Sequence, residues 1–97
     1  MIIILVAVKE ELSKEDLPDL QIHYTGVGKI NAAIKTLDII NRHSPSLIVN
    51  YGTAGSLNKN LNGLVEATRF FQRDMDATPL GFRVGETPFD DIEEINF

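Results

Sequence analysis

The feature of this sequence that most constrains its fold is the run over residues 2–8, IIILVAV, which is continuously apolar and rich in β-branched side chains. A strand with one solvated face would alternate apolar and polar residues, so this run is typical of a strand covered on both faces. Such strands lie inside parallel sheets whose faces are packed with helices. We therefore expect an α/β fold in which residues 2–8 form a central strand.

The next part of the sequence predicts the other elements of that fold. Residues 21–25 alternate weakly and indicate a second strand, and residues 46–51 form another β-branched run. Between them, apolar residues recur at helical spacing, and Pro45 ends the pattern. The fold class is then α/β, with a central, mostly parallel or mixed sheet flanked by helices, because a helical crossover makes the strands that it joins parallel. The predicted apolar face of the helix consists of Ile30, Ala33, Ile34, Leu37 and Ile40.

Length, composition and charge exclude several classes of protein. The 97 residues allow one domain at most, and the formal net charge of −5 argues against a nucleic-acid surface. The sequence has no Cys, which excludes disulfides and thiolate metal sites. It has no apolar run near the roughly 18–20 residues that span a bilayer, and its start lacks the pattern of a signal peptide. We expect a cytoplasmic protein with no metal, no cofactor, no nucleic-acid partner and no membrane partner.

The C-terminal part of the sequence has weaker patterns. Residues 64–72 predict a fourth strand, bulged or at a sheet edge. Asp74 and Asp76 follow it, and an Asp-x-Asp pair can be half of a metal site. Because no third group of ligands is visible, we expect structural hydrogen bonds from them instead. Residues 76–97 are interrupted by Pro and Gly and are expected to be mainly loop.

Polar and small residues follow the first and third predicted strands at the point where each strand ends. Lys9, Glu10 and Glu11 follow the first, and Gly52-Thr53-Ala54-Gly55 follows the third. Ligands of open α/β sheets bind outside the carboxyl ends of the strands. Tight glycine turns expose amide N–H groups there, which suits a sugar, a phosphate or a water. A solvated acidic loop and an ordinary glycine turn remain alternative interpretations of these two segments.

A further glycine turn, Gly26-Val27-Gly28-Lys29, opens the predicted helix. The amino end of a helix can hold an anion. This turn lacks the third glycine of a dinucleotide fingerprint and the longer spacing of a P-loop, so both nucleotide motifs are excluded.

Taken together, these segments resemble the purine nucleoside phosphorylase/nucleosidase superfamily, and within it the bacterial 5′-methylthioadenosine/S-adenosylhomocysteine nucleosidases. The resemblance implies a nucleoside phosphorylase-like α/β domain of which residues 1–97 are the N-terminal part. It covers only the first half of the family pattern, and the purine-binding segment, the ribose-binding Met-Glu motif and the catalytic Asp have no counterpart. The chain is therefore expected to be an incomplete member. The stretches that carry the resemblance are Val8-Lys9-Glu10-Glu11, Thr25-Gly26-Val27-Gly28-Lys29-Ile30-Asn31-Ala32-Ala33, Asn50-Tyr51-Gly52-Thr53-Ala54-Gly55-Ser56-Leu57 and Asp74-Met75-Asp76-Ala77-Thr78-Pro79-Leu80-Gly81-Phe82.

The resemblance also implies an activity and a set of site residues. The activity is hydrolysis of the N-ribosidic bond of purine nucleosides such as 5′-methylthioadenosine or S-adenosylhomocysteine. Glu11 stands where the carboxylate that activates water is found, and Val8 stands where an apolar residue contacts the ribose. Thr53, with Ala54 and Gly55, matches the turn beside the nucleophilic water and the substrate. The resemblance further implies a homodimer.

The identity of residue 50 bears on whether water or phosphate is the nucleophile. Phosphate is best held by Arg, whose guanidinium binds two oxygens at once. Phosphorylases of this superfamily have Arg at the position that Asn50 occupies here, and the charge of Glu11 would repel phosphate. We therefore favour water. A phosphate-dependent phosphorylase and a non-catalytic ligand-binding or interaction module remain the alternatives.

Overall fold

The computed structural model describes residues 1–89, and the predictions that fall on residues 90–97 lie outside this part. The elements are β1 (Ile2–Val6), β2 (Gln21–Tyr24), α1 (Lys29–His43), β3 (Leu47–Tyr51) and a short 3-10 helix (Thr78–Leu80). The chain divides into two compact units, Met1–Ser56 and Leu57–Phe97. The first unit holds the sheet and α1, and the second holds the 3-10 helix.

The first unit is built on a three-stranded sheet of order β2-β1-β3. Both pairings are parallel, and the register places Ile4 beside Ile22 and Val6 beside Tyr51. The parallel sheet and α1 give the α/β fold class that the sequence predicts, and the prediction that the first strand is central is confirmed. The strand is shorter than predicted and ends at Val6, because the chain then turns back on itself between Val8 and Glu11.

The core of the first unit lies between β1 and α1. Ile3 and Leu5, two residues apart on one face of β1, pack with Ile39 of α1, and all three are at most 4 % exposed. Ile48 of β3 packs against the same cluster. Residues two apart in a strand share a face, so the continuous apolar run supplies this contact directly.

The apolar face of α1 is not the face that packs on the sheet, which corrects the simplest interpretation of the helical pattern. Ile39 is buried, whereas Ile30, Ile34 and Leu37 are 77 %, 64 % and 61 % exposed. Ile39 follows Ile30 by nine residues, about two and a half turns, and therefore lies on the opposite side of the helix. The periodicity marked an apolar stripe correctly, but it carries no information on which neighbour that stripe meets.

The carboxyl end of α1 lies where the sequence predicts it, just before Pro45. Ser44 adopts the left-handed conformation with φ 46°, and its N–H donates to the carbonyl of Ile40 at 3.0 Å. This bond satisfies one of the carbonyls that a helix leaves free at its carboxyl end. Pro45 then prevents the helix from continuing. Arg42 adds a surface ion pair with Asp38 at 2.8 Å.

The prediction of a fourth strand over residues 64–72 is wrong, because these residues form no strand. Apolar and β-branched residues favour a strand only where a neighbouring backbone supplies the hydrogen bonds, and the sheet has three members, none of them from this segment. Over residues 76–89 the chain consists of the 3-10 helix, turns and irregular segments. None of the helices formed by residues 1–89 is long and apolar enough to cross a membrane.

Asp76 holds the start of the 3-10 helix. Its Oδ1 accepts hydrogen bonds from the amide of Thr78 at 3.0 Å and from the hydroxyl of Thr78 at 2.7 Å. These bonds lower the pKa of Asp76, the hydroxyl contributing most. The expected structural hydrogen bonding is thus present at Asp76.

Candidate active site

The candidate site lies at the carboxyl ends of β1 and β3. These strands are parallel and adjacent, and Val6 is paired with Tyr51, so both chains leave the sheet at the same edge. After β1 the chain forms a tight turn, in which the amide of Glu11 donates to the carbonyl of Val8 at 3.1 Å. The turn brings the Glu11 side chain to the end of β3.

There Glu11 contacts Thr53. The carboxylate oxygen Oε2 of Glu11 accepts a hydrogen bond of 2.6 Å from the backbone amide of Thr53. The same oxygen accepts a second bond of 2.9 Å from the Thr53 hydroxyl. Two residues singled out from the sequence, 42 positions apart, are thereby joined at one point.

The contact with Thr53 stabilises the charged form of Glu11. The Thr53 hydroxyl, followed by the Thr53 amide, lowers the pKa of Glu11, and partial desolvation opposes this only in part. Both donors stabilise the ionised form, so Glu11 is a carboxylate at neutral pH. An ionised carboxylate that is still accessible to solvent can accept a proton from a water molecule.

The other predicted site residues lie at the same edge of the sheet. Val8 is half-buried and forms the first corner of the turn that carries Glu11. Ala54 and Gly55 follow Thr53 and are exposed. The Thr53 amide, expected to face a water or an anion, is instead bound to the Glu11 carboxylate.

Two contributors to the site were not recognised from the sequence. The hydroxyl of Tyr24 donates to the carbonyl of Leu12 at 2.8 Å and accepts from the amide of Lys14 at 3.2 Å, which fastens the loop that carries Glu11 to the end of β2. Gly52 lies next to the Glu11 carboxylate, and a β-carbon on it would stand 3.1 Å from Oε2. The glycine was visible in the motif, but nothing in the sequence pairs it, or Tyr24, with the loop after β1.

Comparison with known families assigns the chain to one group of proteins. The sequence pattern of the phosphorylase superfamily matches residues 20–97, so the chain belongs to the phosphorylase superfamily. The matched region includes Thr53 and begins after Glu11. The contact of Glu11 with Thr53 therefore rests on the structure alone.

Individual relatives in this superfamily are nucleosidases by name. The chain is 39 % identical over 75 residues to a 5′-methylthioadenosine/S-adenosylhomocysteine nucleosidase of Staphylococcus carnosus (strain TM300), which covers 75 % of the chain and 33 % of the relative. It is 38 % identical over 72 residues to the protein of the same name from Staphylococcus aureus (strain MRSA252), covering 72 % of the chain and 32 % of the relative. The chain thus spans about a third of the length of these curated relatives.

Proposed function

We propose that this chain provides the water-activating part of a nucleosidase that hydrolyses the N-ribosidic bond of purine nucleosides, such as 5′-methylthioadenosine or S-adenosylhomocysteine. The observation that carries the proposal is the pair of hydrogen bonds by which Thr53 holds the Glu11 carboxyl group where two parallel strands end. The names of the staphylococcal relatives support the substrate class.

In the proposed reaction Glu11 acts as the general base. The bond between the ribose C1′ and the purine nitrogen breaks, its electron pair leaves with the purine, and an acid protonates the leaving base. A water oxygen bonds to C1′ from the opposite face while Glu11 takes the proton of that water. The negative charge of Glu11 also stabilises the positive charge that develops on the sugar ring, and the hydrogen bonds that lower the pKa of Glu11 favour its ionised form.

The proposal includes water rather than phosphate as the nucleophile. Asn50, paired with Leu5 in the sheet, has a neutral amide in place of a cation that would hold phosphate. The carboxylate of Glu11 would repel phosphate oxygens at the same edge. Both residues support hydrolysis over phosphorolysis.

We further propose that residues 1–97 form the N-terminal part of a single nucleoside phosphorylase-like domain that acts as a homodimer in the cytoplasm. The exposed stripe of Ile30, Ile34 and Leu37 on α1 supports association, since contiguous apolar patches on a protein surface mark contact sites. The absence of Cys is compatible with a reducing compartment.

The test is release of free adenine from 5′-methylthioadenosine by the purified protein, with and without phosphate. The intact mass of the protein is measured first. Residues 1–97 amount to 10.8 kDa, so the mass shows whether the protein in the assay contains more than these residues. Glu11→Gln keeps the size of the side chain and removes its charge, and we expect it to lower kcat by roughly 100-fold or more. Glu10→Gln, the same change at the exposed neighbouring position, is the matched control and should retain the rate.

Three results would contradict the proposal. No adenine release by an unsubstituted protein whose mass exceeds the 10.8 kDa of residues 1–97 would favour a ligand-binding or interaction module. A rate that depends on phosphate and yields a ribose phosphate would favour a phosphorylase. An equal loss of activity in Glu10→Gln and Glu11→Gln would remove Glu11 from the role of base.

A further inference from the structure

We propose that Gly52 and Thr53 form a carboxylate clamp, which fixes Oε2 of Glu11 and leaves Oε1 as the oxygen that takes the proton from water. Both are positioning residues, since they act through Glu11. The role of Oε1 rests on the proposed function, whereas the clamp itself is a structural feature that can be measured without any activity.

The first half of the clamp is the pair of donors on Thr53. The amide at 2.6 Å and the hydroxyl at 2.9 Å converge on a single oxygen, and a carboxylate acceptor makes both bonds charge-assisted. A solvent-accessible Glu otherwise samples many rotamers, and holding it in one of them costs side-chain entropy. Because Thr53 is only two residues beyond the end of β3, the sheet sets the position of both donors.

The second half is the absence of a side chain at residue 52. A β-carbon there would lie 3.1 Å from Oε2 and 3.9 Å from the carboxyl carbon of Glu11. The first distance is shorter than an ordinary van der Waals contact, so Oε2 would have to shift by a few tenths of an ångström. Because Thr53 holds that same oxygen with two hydrogen bonds, a side chain at residue 52 would compete with the clamp.

The requirement at Gly52 is one of space and not of backbone conformation. Gly52 is absent from the glycines with positive φ, so another residue could adopt its backbone angles. Gly55, three residues later in the same segment, also lacks a positive φ, and a β-carbon on it would meet no atom within 4 Å. The two glycines therefore form a matched pair, in which only the first touches the carboxylate.

The experiment is a titration of the Glu11 carboxyl by NMR in protein labelled with ¹³C in its Glu side chains. The Glu11 resonance is assigned by its disappearance in Glu11→Gln. We expect Gly52→Ala and Thr53→Val to raise the pKa of Glu11 toward its ordinary value, because each weakens hydrogen bonds to the charged form. Thr53→Ser, which restores a hydroxyl, and Gly55→Ala should leave the pKa of Glu11 as in the unsubstituted protein.

Kinetics then test the consequence for the reaction. We expect Gly52→Ala and Thr53→Val to lower kcat about tenfold with little change in KM, because a displaced base affects the transition state more than substrate binding. Thr53→Ser should recover most of the rate. If Gly52→Ala does not fold, the comparison of kcat between Thr53→Val and Thr53→Ser still tests the positioning role.

The possible failures are distinguishable. An unchanged Glu11 pKa in both Gly52→Ala and Thr53→Val would overturn the clamp, whatever the activity. A raised pKa with an unchanged kcat would overturn the positioning role and leave the nucleosidase proposal intact. If an unsubstituted protein that contains more than residues 1–97 releases no adenine, the proposed function and the role of Oε1 fall together, and the titration alone decides whether the clamp exists.

Discussion

The imidazole rings of His23 and His43 lie 5.4 Å apart, with their planes tilted by 52°, so the second strand meets the last residue of α1 through these two side chains. Desolvation, followed by the neighbouring His43 and then Lys14 and Lys35, lowers the pKa of His23 below 6.5. The folded protein therefore favours the neutral form of His23.

This arrangement predicts that the fold becomes less stable as the solution is acidified. Below pH 6.5 the unfolded chain takes up a proton at His23 more readily than the folded chain does. The contribution of His23 is complete above its unfolded pKa and is lost as pH falls through its lowered folded pKa. Urea unfolding between pH 7.5 and 5.5 should show a falling free energy of unfolding, and His23→Gln should flatten that dependence. An equally steep dependence in His23→Gln would show that other groups cause it.

The hydroxyl of Tyr24 is expected to stabilise the loop that carries Glu11. Removing it in Tyr24→Phe takes away the bonds to Leu12 and Lys14 and should cost about 1 kcal/mol of unfolding free energy. Tyr51→Phe is the matched control, because Tyr51 is 37 % exposed and its hydroxyl makes no hydrogen bond within residues 1–89. Similar losses in the two variants, measured by urea unfolding, would contradict an anchoring role for Tyr24.

Ile39 is expected to contribute far more to stability than the apolar residues on the opposite side of α1. Ile39 is 1 % exposed and packs with Ile3 and Leu5, so Ile39→Ala should destabilise the fold by about 2–5 kcal/mol. Ile30→Ala, at a position that is 77 % exposed, should change the free energy of unfolding of the isolated chain by no more than about 0.5 kcal/mol. The reverse order would mean that α1 packs on the sheet through its apolar stripe.

The apolar stripe is expected to be a contact between two copies of the protein. Ile34→Asp places a charge at its centre, where Ile34 is 64 % exposed, and should shift the protein toward monomer in sedimentation velocity experiments over a range of concentrations. Leu57→Asp introduces the same charge at a fully exposed residue outside the helix and should leave the association state unchanged. A protein that is monomeric at every concentration without any substitution would contradict the proposed homodimer.

Local patterns in the sequence were sufficient for most of the first 51 residues. The β-branched run over residues 2–8 required a strand covered on both faces, and the helical spacing with Pro45 bounded α1 to within a few residues. The same reasoning failed for residues 64–72, because a strand depends on a partner that the segment itself does not supply. It also left open which face of α1 is buried, since periodicity records where apolar residues lie and not what covers them.

The candidate site shows the same division between what the sequence predicts and what the structure decides. The sequence by itself determined which chemical groups stand at the carboxyl ends of β1 and β3, a carboxylate at Glu11 and a small, hydroxyl-bearing turn at Gly52 and Thr53. Only the tertiary structure decided that Thr53 binds the Glu11 carboxylate and that Gly52 makes room for it. The parallel pairing of β1 with β3 brings together residues about 40 positions apart, and a contact across that distance is set by strand register rather than by any local preference of the chain.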